Sequence, residues 1–565
     1  MEGGFSYRGK TLLSRVDPAG KADRVADTVP VIDGTLYLCP SPLYGYGRER
    51  LLARLEEHAP NSAVLCIEAE PELFALSHGH FSEALKRSPQ LRLTNRCEAA
   101  GLCSLIRKEW GARVFRRIQI LRLNGGWQLY PDLDNLANTL QREIALDWGN
   151  AMTLARLGRR YMQNAIRNLA LIPGSFSIDA LSFGAEPVLT LGAGPSLDPF
   201  LDALVIRFGQ ACLLPETRPF RIVCVDTCLP ALRERGIRPD LAIILESQHW
   251  NLDDFTGLSG WDIPAAFDLS ALPGSARALG NRLFLFFTPW TRLCIFRRLG
   301  AAGLLPASLP PLGSVGITAA AISIRLTRGA VITAGLDFSF TLDSFHARST
   351  PGHLARLRRQ NRFTGLINAE AAFGHSVLGT VSKTGKKVLS NPAMRNYREL
   401  FEKQFTGCPR LFDMAGSGLP LGIKTLSTDE AFFLLTNTGQ EVNRRCEDEK
   451  ITLTSANTAL LTGITQEVNK QSAEKLRNCI LDEVKRLTLL RGILTGEAPM
   501  DYGNLAGLIE ECDYLWAHFP DYAASSRRPD RAELESGGQA VVSFLKRLRA
   551  EIDPFLTLWK QTLLF

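Results

Sequence analysis

Val188-Leu189-Thr190-Leu191-Gly192-Ala193-Gly194-Pro195-Ser196-Leu197 is an apolar run that ends on a glycine-rich turn and opens onto a helix. Such a run suits a strand buried on both faces, as in a parallel sheet. Gly192 and Gly194 permit close approach to backbone amides, Pro195 pre-sets a helix-entry φ, and Ser196 can satisfy free N–H groups or a phosphate. A helix N-terminus at the carboxyl end of a parallel strand is where an open α/β sheet receives an anionic nucleotide. The third glycine of a dinucleotide fingerprint is absent because position 197 is Leu, and a tight turn without a ligand fits the same residues.

Outward from this turn, residues 221–225, 241–245, 282–287 and 330–335 are further short apolar runs separated by helical stretches. They predict a central doubly wound parallel sheet over about residues 171–424. Polar residues follow these runs: Asp226 and Thr227, Glu246 and Gln248, and Asp337. In such a sheet they are expected to converge on one crevice, although Asp226 also fits the cap of the next helix. The stretch 1–170 opens with strand-like 35–38 and 63–68 around a helical 50–57, then turns helical and basic through Arg107, Arg116, Arg117 and Arg122. It reads as an α+β N-terminal domain with a solvated positive face. Residues 425–565 read as an all-α C-terminal domain, with Leu476, Ile480, Val484, Leu487 and Leu490 on one stripe.

A chain of 565 residues is too long for one core, and about three domains are expected. Lys and Arg number 65 against 58 Asp and Glu, so a net +7 demands no nucleic-acid partner but admits an anionic substrate. Twelve cysteines without a CxxC pair suggest reduced thiols. No apolar run approaches the ~20 residues of a membrane helix. The opening Met1-Glu2-Gly3-Gly4 lacks the basic-then-apolar order of an export signal, so a cytoplasmic location away from membranes is expected.

Five ordered motifs resemble the central domain of Maf (motility-associated factor) proteins. They are GAGPSLD (192–198), VCVDTCLPAL (223–232), RGIRPDLAIILESQ (235–248), GSVGITAAAISI (313–324), and AGLDFSF (334–340) with His346-Ala347-Arg348. YLCPSPLYGYG (37–47) and IEAEPEL (67–73) are similar to the Maf N-terminal domain, so the likeness runs over about 35–424. The central domain also resembles bacterial sialyltransferases, a Rossmann-like variant of the nucleotide-sugar fold, and MptE-like 6-hydroxymethylpterin pyrophosphokinases.

The resemblance implies a glycosyltransferase that moves a pseudaminic or legionaminic type of nonulosonic sugar from a CMP-activated donor to Ser or Thr of flagellin, with no metal and no cofactor. The donor site it implies comprises Gly192, Ala193, Gly194, Pro195, Ser196, Asp226, Thr227, Glu246, Gln248, Ser314 and Asp337. Ala193 stands where the sialyltransferase turn has Asn, and Ser339 where that family has a phosphate-holding Tyr. Arg348, Arg356, Arg358 and Arg359 are therefore candidates for the donor's phosphate and carboxylate. His346, on the loop after the GLDF strand end, is the candidate proton acceptor, with Asp226 as the second catalytic candidate. One alternative is diphosphate transfer from ATP to a pterin alcohol, which would need magnesium on clustered carboxylates. Another is a non-catalytic flagellin-binding factor whose site has decayed.

Overall fold

The computed structural model describes residues 5–111, 114–280, 282–363, 365, 374, 376–436, 451–452, 460–520 and 528–564. The opening Met1 to Gly4 lies outside the described residues. The chain forms two compact units, one of residues 1–159 with 514–543, the other of 160–513 with 544–565. The helical stretch after 460 is thus divided between both units.

In the first unit, β1 (Thr35–Pro40), β2 (Ala63–Ile67), β3 (Leu91–Thr94) and β4 (Arg117–Ile120) form a sheet of order β3-β2-β1-β4. Every pairing is parallel, so the region read as α+β is a small parallel α/β sheet. The short strands β3 and β4 alternate in polarity as Leu-Arg-Leu-Thr and Arg-Ile-Gln-Ile, which hid them among helical signals. Alternate strand residues feed two apolar clusters, with Tyr37, Cys39, Val64 and Cys66 in one and Leu36, Leu38, Leu65 and Ile67 in the other. Within the basic stretch Arg107 reaches Glu143 and Asp147, and Arg122 reaches Asp134, while both arginines stay partly exposed.

The helix α1 (Leu133–Asn168) follows, and its last turns belong to the second unit. That unit is built on nine strands: β5 (Phe176–Ser177), β6 (Val188–Leu191), β7 (Arg221–Val225), β8 (Leu241–Ile244), β9 (Ala265–Asp268), β10 (Leu283–Phe286), β11 (Val331–Ala334), β12 (Leu411–Met414) and β13 (Lys424–Leu426). Their order is β13-β12-β11-β6-β7-β8-β9-β10-β5, parallel throughout. The doubly wound parallel sheet expected from the sequence is therefore present. Strands β6 to β11 are buried at nearly every position, which is why they read as continuous apolar runs.

Three helices of this unit bear on the site: α2 (Leu197–Phe208), α3 (Val315–Leu326) and α4 (Pro351–Arg359). Small residues let α3 lie close on the sheet, with Gly316, Ala319, Ala320 and Ser323 all buried, and Ser323 Oγ accepts from Thr190 Oγ1 of β6 at 2.7 Å. The long helix α5 (Leu460–Thr495) buries Leu476, Ile480, Leu487 and Leu490, members of the stripe expected there. No helix among the described residues is long and apolar enough to cross a membrane.

Candidate functional site

The strand order reverses between β6 and β11, since β6 leads on to β7 and β11 to β12 on opposite sides. The carboxyl ends of these two strands are where such a fold ordinarily opens a ligand crevice. In this molecule that position is filled. Gly194 N donates to Gly335 O at 2.8 Å, and Ser196 donates to Asp337 from both its backbone N (2.7 Å) and its Oγ (2.5 Å). A Cβ on Gly192 would stand 2.5 Å from Gly335 O, and one on Gly194 would stand 2.5 Å from Asp337 Oδ2. The two glycines therefore allow the turn to close on the end of β11. Burial raises the Asp337 carboxyl, opposed by the two bonds from Ser196. Ala193 O accepts from Ala347 N at 2.9 Å, so backbone ties the 344–348 loop to the same turn.

The open space lies to one side, beyond the carboxyl ends of β7, β8, β9 and β10. It is a cavity of about 800 Å³. Each of the four strands delivers a polar group to it: Asp226, Glu246, Ser270 and Thr288 in turn. Ser270 and Thr288 are organised by the buried Asp268, whose Oδ1 accepts from Ser270 N (2.7 Å) and Oγ (2.5 Å), and whose Oδ2 accepts from Thr288 N (2.8 Å) and Oγ1. From α1, Asn164 Nδ2 donates to Ser247 O (3.0 Å) and Ser270 O (3.1 Å), and Asn168 Nδ2 to Leu269 O (2.9 Å) and Ala271 O (2.8 Å). Two asparagines one helical turn apart thus hold the loops after β8 and β9.

At the centre of the wall is Asn251, on the turn of 3-10 helix that follows β8. Its Nδ2 donates to Asp226 Oδ2 at 2.6 Å and to Asp254 Oδ2 at 3.0 Å, while its Oδ1 accepts from Ser275 Oγ at 2.7 Å. Asp226 also accepts from Thr227 N at 2.9 Å. Both carboxyls are held above the usual range, Asp226 by burial and Asp254 further, by burial and then by the Asp226 charge. Tyr161 is pushed up to about 12 by burial and then by Glu246.

Another part of the wall is made by two helix starts, Gly313 and Val315 at the head of α3 and Pro351 and Gly352 at the head of α4. The first-turn N–H groups, which Pro351 does not supply, bring the positive ends of two helix dipoles to this wall. His346 lines the same wall, packed so closely on Gly352 that a Cβ there would meet Nδ1 at 2.9 Å. Burial, then the charge of Arg356, lowers the imidazole to about 4, so it is neutral at physiological pH. No Lys or Arg lines the cavity among the described residues.

The structure therefore brings together Asp226, Thr227, Glu246 and His346 of the residues expected from sequence. Ser314 stands at the N-cap position of α3 between two lining residues, without a capping bond from its side chain. Gln248 turns aside to accept from Trp250 Nε1 at 3.3 Å. Gly192, Ala193, Gly194, Pro195, Ser196 and Asp337 do not line the cavity, because their polar groups and close approaches are spent on one another. Arg348 is paired with Asp198 and Asp202 of α2. Arg356, Arg358 and Arg359 occupy the last turn of α4, a helix with no buried residue, and line no part of the cavity. Asn251, Asp254, Tyr161 and Trp290 were not singled out by the sequence. Asn251-Leu252-Asp253-Asp254 carries a legible signal only in being acidic and close behind Glu246. Among the described residues no group of three His, Cys, Asp or Glu side chains is arranged to hold a metal ion.

Residues 163–343 match the family described as 6-hydroxymethylpterin diphosphokinase MptE-like. This MptE-like segment holds β5 to β11 and the Asp226, Asn251 and Asp254 group, and it ends before His346 and α4. A protein of Treponema pallidum (strain Nichols), itself described as uncharacterized, is 27% identical over 578 residues, spanning 99% of this chain and 94% of that protein. A Maf glycosyltransferase from Magnetospirillum magneticum AMB-1 shares the fold with a TM-score of 0.55 at 14% identity, over 99% of this chain and 89% of that one.

Proposed function

We propose that this chain is a glycosyltransferase acting in the cytoplasm, moving a nonulosonic sugar from a CMP-activated donor to Ser or Thr of flagellin, a step required for flagellar assembly and motility. The observation that carries this reading is the cavity itself, a space of about 800 Å³ whose lining holds both a carboxyl group of raised pKa and two helix N-termini. The fold shared with a Maf glycosyltransferase supports it. Glycosyl transfer needs both of the cavity's chemistries. A departing CMP phosphate is stabilised by N–H groups at a helix start, and an acceptor hydroxyl must lose its proton as the bond forms.

Asp226 suits the base role better than His346. A base is most effective when its pKa lies near the working pH, and burial moves Asp226 towards that range while moving His346 away from it, to about 4. The neutral His346 then serves as a hydrogen-bonding group for the donor. Thermal melting with CMP, ATP and GTP, with and without magnesium, tests the donor class, because a ligand that binds the native state raises the melting temperature. CMP is expected to give the larger shift, and an Asp226→Asn protein is expected to retain it while losing transfer. Absence of any CMP shift would remove the reading.

The MptE-like match favours a second reading, diphosphate transfer from ATP to a pterin alcohol. A melting shift with ATP and magnesium that exceeds the CMP shift would select it.

A further inference from the structure

Asn251 gives both hydrogens of one amide to two different carboxylates, at 2.6 and 3.0 Å, and the Ser275 hydroxyl on Oδ1 fixes which way that amide faces. Asp226 and Asp254 are both buried, 2% and 9% exposed, yet both line the cavity. The charged and titratable groups facing them are Glu246 and Asp253, and for Asp226 also the thiols of Cys224 and Cys228, none of which brings positive charge. Two buried carboxylates bridged by one neutral amide, with no Lys or Arg among the lining residues, disfavour each other's charge, which favours the pair holding one proton at neutral pH. Asp226 has the extra N–H from Thr227 that favours its charged form, whereas Asp254 has the Asp226 charge beside it.

We infer that Asp226 and Asp254 act as one acid–base pair, in which Asp254 carries the proton that Asp226 lacks. This rests on the transferase reading above. In the transfer step the acceptor O–H proton passes to Asp226 as the new carbon–oxygen bond forms. The carbon–oxygen bond to the nucleotide phosphate breaks, its electron pair stays on the phosphate oxygen, and that oxygen takes the Asp254 proton. The pair is then Asp226–H and Asp254 carboxylate. Return of one proton from Asp226 to Asp254, across the site that Asn251 spans, restores the starting state. Over the cycle one proton moves from acceptor hydroxyl to released nucleotide, with no oxidant or reductant involved.

The test is kcat/KM against pH for the wild type, Asp254→Asn and Asp226→Asn, together with infrared absorption of the protonated carboxyl in the same proteins. A bell-shaped wild-type profile is expected. Asp254→Asn should lose the alkaline limb, keep the acidic limb, and turn over about 100-fold or more slowly, the scale of a lost general acid. The protonated-carboxyl band at neutral pH should be present in the wild type and absent in Asp254→Asn. In the wild type the pair's absorption should fall in two steps as pH rises from acid, the second of them above neutral pH, a measurement that needs no folded variant. An alkaline limb unchanged in Asp254→Asn, or no protonated-carboxyl band at neutral pH, overturns the pair. If no nucleotide sugar is transferred at any pH, the transferase reading fails by itself and the infrared result alone decides the pair.

Discussion

Gly194 and His346 show how one residue type can serve two purposes that only packing separates. A glycine after a strand permits a ligand to approach, but equally permits another strand to approach, and here the neighbour is Asp337, 2.5 Å from where a Cβ would stand. Gly194→Ala is expected to cost about 1–3 kcal/mol of stability through overpacking, read as a lower denaturant midpoint with unchanged slope. An unchanged midpoint would show that the turn tolerates the extra atom and leaves room for a ligand. His346 makes a pH prediction. Its native pKa of about 4 lies below the ordinary 6.5, so the folded state binds fewer protons than the unfolded chain between these values. Stability from this group is full above pH 6.5 and is lost as pH falls towards 4, by about 3 kcal/mol at most. His518, also lowered by burial to about 4, adds to the same fall. Melting curves over that range should flatten, though not level, in His346→Asn. An identical pH dependence in the variant would show that the imidazole is not held neutral by the fold.

Short polar segments and long apolar ones were not equally legible at the level of the element. The strands β6, β7, β8, β10 and β11 stand out because burial on both faces leaves no polar alternation. Ala265-Ala266-Phe267-Asp268 is as buried as they are, but two alanines and a terminal aspartate give it little β character, so β9 was not read. That omission removed Ser270, and with it part of the cavity wall. Asp226, Glu246 and His346 were legible because each follows a recognisable strand. Asn251 and Asp254 lie in a 3-10 turn without periodicity, where only tertiary contact reveals them. The arginines of α4 were legible as charge but not as direction, since the cavity side of this nine-residue helix is marked only by Pro351, Gly352 and Ala355 and no residue is buried. Arg358→Glu with Arg359→Glu is accordingly expected to leave CMP affinity within about twofold of wild type, because rim charges beyond hydrogen-bond reach are worth little. A loss of tenfold or more by titration calorimetry would bring these side chains into the donor site. The asparagines of α1 carry the reverse expectation. Asn164→Ala leaves Ser247 O and Ser270 O without their donor, and should cost about 1–3 kcal/mol and loosen the wall that bears Glu246. A stability loss without any rise in KM would limit that residue to the fold.

Across the whole molecule the charge is divided in a way that composition hides. The net +7 is carried on surfaces such as α4, while the cavity lining includes Asp226, Glu246, Asp253 and Asp254 with no Lys or Arg among the described residues. The sum was visible in the sequence, but the gathering of four acidic residues and no Lys or Arg in the cavity lining required the fold. An anionic donor can then be held by backbone N–H groups at the two helix starts, by the neutral His346 and by protons on the carboxyl pair, without a cationic side chain in the lining. The whole account depends on that cavity being where sugar transfer occurs. The most direct measurement incubates purified flagellin and a CMP-activated nonulosonic sugar with the wild-type protein or with Asp226→Asn, and follows the mass of intact flagellin. The account predicts mass increments of one sugar residue with the wild type and a rate at least about 100-fold lower with Asp226→Asn, at an unchanged CMP melting shift. No increment with the wild type, or equal increments with both proteins, would contradict it.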